Sequence, residues 1–170
     1  ASLGIPEAEE PHPTFVENAL TKARHAARAC GLPTVADDSG LCVAALGGAP
    51  GVHSAVYADV AVAADERESQ RRVQDTANNA LLLERMKGIA DRHARFVSTL
   101  VAVRHADDPE PLIALGRWEA TLLTAPRGSG GFGYDPLVWI EALGASVAEI
   151  SPGQKNRVSH RALAAEQMRA

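Results

Sequence analysis

Apolar residues recur at helical spacing early in the chain, where Val16, Ala19, Leu20, Ala23, Ala27 and Cys30 fall on one face of a 3.6-residue period. Ahead of them Thr14-Phe15-Val16-Glu17 matches a capping box, in which a hydroxyl and a carboxylate satisfy the first free amides, and Gly31 with Pro33 supplies the stop. A helix is expected from Thr14 to about Cys30. Leu32 to Ala36 reads as an apolar strand ending at Asp37 and Asp38, and Leu41 to Leu46 as further extended or buried chain before the turn-rich Gly47-Gly48-Ala49-Pro50-Gly51. Asp65 and Glu68 repeat the capping pattern for a second helix to about Met86, with Val73, Ala77, Ala80 and Leu81 among its apolar positions and Gly88 past its end. Arg95 to Arg104 and Leu112 to Thr124 are rich in β-branched and aromatic residues and flank Asp107-Asp108-Pro109-Glu110-Pro111, which predicts an antiparallel hairpin. A glycine-dense loop from Pro126 to Pro136, a short strand from Leu137 to Ile140 and two short helices begun by Ser151 and Ser159 complete the pattern. It predicts an α/β or α+β fold around a mixed sheet.

The chain has 170 residues, 46% of them hydrophobic and 22% charged, enough for one globular domain with a sizeable core. A formal net charge of −4 argues against a nucleic-acid groove or a membrane surface as the main partner, since either needs Lys and Arg in excess on one face. Any anionic ligand must then be met locally, by a few basic groups and a cation. Cys30 and Cys42 lack the spacing and histidine neighbours of a zinc site and read as two buried thiols of a reducing cytoplasm. No apolar stretch approaches the ~20 residues needed to span a bilayer, and the start lacks a signal-peptide layout.

Against that background the adjacent carboxylates Asp37 and Asp38 stand out. Burying two acids at the mouth of a strand is costly unless a cation or hydrogen-bond donors compensate them, although Asp before Ser-Gly is also a common turn or cap. Glu9 and Glu10 sit just before the first expected helix and Glu17 in its first turn, and Mg²⁺ takes one or two carboxylates and completes its shell with water and phosphate oxygens. The loop Gly128-Ser129-Gly130-Gly131-Phe132-Gly133-Tyr134-Asp135-Pro136 matches neither the P-loop nor the dinucleotide fingerprint. Phe132 within it is a base-stacking platform worth ~1–3 kcal/mol by analogy with single-stranded nucleic acids. Lys155 and the helix start Ser159-His160-Arg161 add donors suited to carbonyl oxygens. Trp118 and Trp139 read as core or dimer-interface packing, His25, His53, His93 and His105 as solvated or locally bonded, and His12 as no ligand.

Six blocks in order, Thr14-Phe15-Val16-Glu17-Asn18-Ala19, Lys22-Ala23-Arg24, Ala36-Asp37-Asp38-Ser39-Gly40-Leu41, Leu46-Gly47-Gly48-Ala49-Pro50-Gly51, Gly130 to Pro136 and Ser159-His160-Arg161, resemble the successive motifs of the inosine triphosphate pyrophosphatase family. The resemblance runs from about Leu3 to the end. It implies an elongated α/β fold with a long mixed sheet flanked by helices, normally a homodimer. It also implies Mg²⁺-dependent hydrolysis of ITP, dITP or XTP to the nucleoside monophosphate and pyrophosphate. Carried over by residue, Asp38 is the catalytic acid-base group and a metal ligand, Asp37 lies beside it, and Glu10 or Glu9 is the other metal carboxylate. Ser39, Lys22 and Lys155 lie near substrate, while Phe132, Gly133, Tyr134 and Asp135, with His160 and Arg161, hold the base. The family opens with a strand and a Thr- or Ser-x-Asn-x-x-Lys loop for the triphosphate, and this sequence begins downstream of that loop, so residues 1–170 are expected to form one pyrophosphatase domain without it. Val56 stands where many members carry Arg. A nucleotide-binding protein without turnover, or a pyrophosphatase for other modified nucleotides, are the alternatives.

Overall fold

A computed structural model describes residues 4–60 and 67–170, with the Arg67 side chain left aside; Leu3 and Asp65, and with Asp65 the expected cap of the second helix, lie outside the described residues. Among the described residues α-helices run over Phe15–Cys30 (α1), Arg67–Arg85 (α2), Pro152–Val158 (α3) and His160–Arg169 (α4). Five strands, Thr34–Val43 (β1), His93–Val103 (β2), Leu112–Leu122 (β3), Val138–Ile140 (β4) and Ala145–Ser146 (β5), form one sheet in chain order, with β3/β4 and β4/β5 antiparallel. The expected α/β class is the one observed. The chain divides into two compact units, one holding the residues up to Ser39, Val97–Arg117 and Ser159–Ala170, the other Gly40–Phe96 and Trp118–Val158.

In the first unit α1 packs through Ala19, Ala23 and Ala27 onto Val101 and Val103, with Leu20, Ala36 and Ala106 at the margin. Alanines at every fourth position leave only methyl groups between helix backbone and strand, so the approach is close. Thr34 clips the end of this contact by donating its hydroxyl to the Ala23 carbonyl at 2.7 Å. The caps form at the expected places: the Thr14 hydroxyl accepts from the Glu17 amide, and Gly31 closes the helix in the left-handed region at φ 69°. Glu17, however, turns its carboxylate to the Thr14 hydroxyl rather than to a free amide. Val16, expected on the buried face, is exposed.

The turn after β2 is built on Asp108, whose carboxylate is buried and accepts from the amides of Arg104 and Glu110 and from the Arg104 guanidinium. That guanidinium, followed by the two amides, holds the Asp108 carboxyl well below the usual carboxylate range. On β3, Gly116 sits where the backbone of α4 crosses: a Cβ there would collide with the His160 carbonyl and come within 2.6 Å of the Ala164 nitrogen.

In the second unit Leu41, Val43, Leu82, Met86, Phe96, Trp118, Leu122, Tyr134, Leu137 and Val138 make the core. The pattern assigned to α2 needs correction, because Val73 is exposed and Ala80 with it, while Asn78 is buried. Asn78 accepts from the Ala58 amide at 2.8 Å and donates to the Ser54 and Ala55 carbonyls, so a polar side chain is fully used on the buried face. Trp118 is core, as expected, and the Arg127 guanidinium lies 4.9 Å from the Trp139 ring. Cys30 and Cys42 are not joined in a disulfide. Among the described residues no helix is long and apolar enough to cross a membrane.

Two stability measurements follow. Gly116→Ala should lower the unfolding free energy by about 1–3 kcal/mol or more, read from urea midpoints, since the clash is with backbone that cannot rotate away. Because the Asp108 pKa is depressed on folding, its stabilising share is present above the unfolded value of 3.8 and is lost as pH falls below it. The stability gap between the parent and Asp108→Asn should therefore stay constant from pH 7 to about pH 5 and narrow below about pH 4. A gap that widened on acidification would contradict the depressed pKa.

Candidate active site

Asp37 and Asp38 lie inside β1, not beyond its end as the apolar run suggested, and the strand continues to Val43. Neighbours in an extended strand point to opposite faces, so the two carboxylates part company. Asp38 shares its face with Ala36 and meets α1, whereas Asp37 and Ser39 meet α4.

On the α1 side Asp38 is buried, and Lys22 donates to its Oδ1 at 2.8 Å and to the Asp37 carbonyl at 3.2 Å. The same ammonium lies 3.0 Å from Glu10 Oε1, so one cation joins two acids. Burial pushes the Asp38 carboxyl above its ordinary value, with the Lys22 ammonium opposing the rise and the Glu10 charge adding to it. For Lys22 burial pulls the other way, and its bonds and charge interactions with Asp38 and Glu10 outweigh that to leave its pKa raised. Asp38 Oδ2 is buried without a hydrogen-bond partner. The segment bearing Glu10 is tied to α1 by Asn18, whose side chain accepts from the His12 amide at 3.0 Å and donates to the His12 carbonyl at 3.1 Å.

On the opposite face Asp37 Oδ1 accepts from the buried Ser98 hydroxyl at 2.6 Å, and Oδ2 accepts from Arg161 Nε at 2.9 Å. Arg161 Nη2 donates to Ser39 Oγ at 2.6 Å. Ser159 caps α4 by accepting from the Ala162 amide, which puts His160 and Arg161 in the first turn, His160 buried.

The glycine loop belongs to the second unit. Asp135 is buried and accepts from the Phe132 amide at 2.9 Å and from Lys155, whose Nζ also stands 4.3 Å from the centre of the Phe132 ring. Asp75 and Asn79 of α2 grip Gly133, one accepting from its amide at 2.7 Å and the other donating to its carbonyl at 2.8 Å. The glycine density has an internal cause: a Cβ at Gly130 would come within 2.9 Å of the Ala148 carbonyl oxygen, and one at Gly131 would collide with the Asp135 carboxylate. Phe132 itself is 64% exposed.

A profile of the Ham1 family matches residues 1–170 of the chain. The chain belongs to the Ham1 family. It is 69% identical to the dITP/XTP pyrophosphatase of Methylibium petroleiphilum over 99% of this chain and 81% of that protein, and 67% identical to the protein of the same name from Leptothrix cholodnii over 98% and 80%. A Ham1 protein structure from Coxiella burnetii superposes with a TM-score of 0.88 at 41% identity, covering 98% of this chain and 80% of that one.

Within this Ham1 chain the residues singled out by sequence sort into separate clusters. Asp38, Lys22 and Glu10 meet on one face of β1 and Asp37, Ser39 and Arg161 on the other. Glu10, and not Glu9, reaches Lys22. Phe132, Gly133, Asp135 and Lys155 gather in the second unit, but Tyr134 turns into the core, where its hydroxyl donates to the Ser54 carbonyl at 3.0 Å and burial raises its pKa. Val56, the departure from the family pattern, is exposed. Ser98, Asp75 and Asn79 went unrecognised in the sequence, and Asn18 was named only within its motif; for the helical residues the one available signal was a polar residue on a face otherwise filled with Ala and Leu, and for Ser98 on β2 there was none. Among the described residues no three His, Cys, Asp or Glu side chains converge as a ready-made metal cage. Lys22→Met removes the cation that opposes burial of Asp38, so the Asp38 carboxyl ¹³C resonance should titrate at higher pH than in the parent; an equal or lower midpoint would exclude the pairing.

Proposed function

We propose that this chain hydrolyses dITP, ITP and XTP to the nucleoside monophosphate and pyrophosphate, acting as a Mg²⁺-dependent homodimer in the cytoplasm. The observation that carries the reading is Asp38: a buried carboxylate with one oxygen on Lys22 and the other buried without a hydrogen-bond partner. The relatives named dITP/XTP pyrophosphatase, at up to 69% identity, support the substrate class.

The donor set fits a hard divalent cation. Asp38 Oδ2 lacks a partner and Glu10 brings a second carboxylate to the same Lys22, and Mg²⁺ needs no more than one or two such ligands. When bound, the ion would neutralise phosphate charge and lower the pKa of water. Asp38 is assigned as the base that takes the proton from the attacking water, a role favoured by a carboxyl raised toward the working pH. Lys22 holds Asp38 by Oδ1 and so fixes which oxygen is presented. No covalent nucleophile is needed, because water in the right place attacks the α-phosphorus and pyrophosphate leaves.

Arg161 and His160 are assigned to the carbonyl at purine position 6, which inosine and xanthine nucleotides carry where ATP has an amine. Donors left facing that amine lose their acceptor, and a site built on such bonds rejects the wrong ligand by ~10⁴-fold or more. Phe132, in the second unit, presents an exposed aromatic face of the kind that stacks on a base.

Pyrophosphate release should be measured on ITP, dITP, XTP, GTP, ATP and modified pyrimidine triphosphates, with and without Mg²⁺. Turnover of the first three with Mg²⁺ is expected, and Asp38→Asn should lower it by about 10²–10⁴-fold while nucleotide binding persists. Near-normal turnover in that variant would refute Asp38 as the base, and binding without turnover in the parent would replace the enzyme reading with that of a nucleotide-binding protein.

A further inference from the structure

We propose that Ser98 and Asp37 are positioning residues that hold Arg161 as a prepared hydrogen-bond donor, an inference that rests on the reading of Arg161 as a substrate-binding residue. The resemblance made Asp37 a companion of Asp38, yet the pleat of β1 turns it to the other face, away from Lys22 and Glu10. There its two oxygens are engaged separately: Oδ1 takes the Ser98 hydroxyl at 2.6 Å, and Oδ2 takes Arg161 Nε at 2.9 Å and the Ser39 hydroxyl at 3.3 Å. Arg161 Nη2 reaches Ser39 Oγ at 2.6 Å, so two acceptors from β1 grip one edge of the planar guanidinium. Arg161 Nη1 has no hydrogen-bond partner among the described residues, and the side chain is 47% exposed.

An ion pair so open to water would ordinarily be mobile and worth little. Ser98 changes that, because it is 0% exposed, sits on β2 and fixes the carboxylate from beneath. α4 also meets β3 apart from this pair, through the close approach of its backbone to Gly116 and the Leu115 amide donating to Gln167. A structural strut would be redundant here, whereas a fork with one edge clamped and the other open is a ligand donor made rigid before binding.

Ser98→Ala, Arg161→Ala and the double variant test the chain of contacts. Ser98→Ala should raise KM for ITP about tenfold and lower kcat by less than about threefold, because Asp38 on the opposite face is untouched. In the Arg161→Ala background the same change should add less than about twofold, since Ser98 acts through the guanidinium. Independently of activity, the Arg161 Nε–H resonance should exchange with water more slowly in the parent than in Ser98→Ala. Unchanged KM and unchanged exchange in Ser98→Ala, or effects of Ser98→Ala and Arg161→Ala that simply add, would overturn the proposal. If the parent does not turn over ITP at all, the substrate reading fails and the exchange comparison alone decides whether Ser98 positions Arg161.

Discussion

Two acids adjacent in an extended strand cannot serve one face, and the site in the first unit is organised by that constraint. The pleat of β1 sends Asp38 toward α1, where Lys22 and Glu10 meet it, and Asp37 toward α4, where Ser98, Ser39 and Arg161 do. One dipeptide thereby supplies a buried carboxylate on one side and an anchor for the Arg161 guanidinium on the other. Each needs its own compensation, because unpaired carboxylates away from water are strongly disfavoured. Lys22 and Arg161 provide it without filling every acceptor, and the unfilled one, Asp38 Oδ2, is where the chemistry is assigned.

The supporting structure relies on buried polar side chains used as fasteners. Asn18 secures the segment before α1, Asn78 the chain from Ser54 to Ala58, Asp108 the β2–β3 turn and Asp135 the Phe132 loop. Each satisfies backbone groups that have no partner in a helix or sheet, and leaving such groups bare costs about 1–3 kcal/mol apiece. Irregular segments next to the acids and around Phe132 are held in this way rather than by apolar packing. Alanine and glycine supply the complementary device of close approach, with α1 laid on Val101 and Val103 through alanines and the α4 backbone crossing at Gly116.

In the Phe132 loop the same economy recurs. Asp135 holds the Phe132 amide and the Lys155 ammonium at once, and the ammonium in turn stands over the Phe132 ring. The aromatic face is exposed but its backbone is anchored through Gly133 to Asp75 and Asn79. The loop is tied down by Asp135, Asp75 and Asn79, which leaves the ring itself exposed.

What the sequence by itself determined was local or collinear. The cap at Thr14, the stop at Gly31, the hairpin across Asp107–Pro111, the Ser159 start of α4 and the order of motifs that marks the family depend on residues a few positions apart, and they appear as expected. Tertiary structure alone decided which face each Asp serves, that Glu10 rather than Glu9 joins Lys22, that Tyr134 is core and Phe132 exposed, and that Ser98 meets Asp37 and Asn79 meets Gly133. The reason is physical. Hydrophobic period reports which residues prefer burial, but it carries no information about which distant strand or helix lies against a polar side chain, and that neighbour sets the hydrogen bonds and charges on which the site depends.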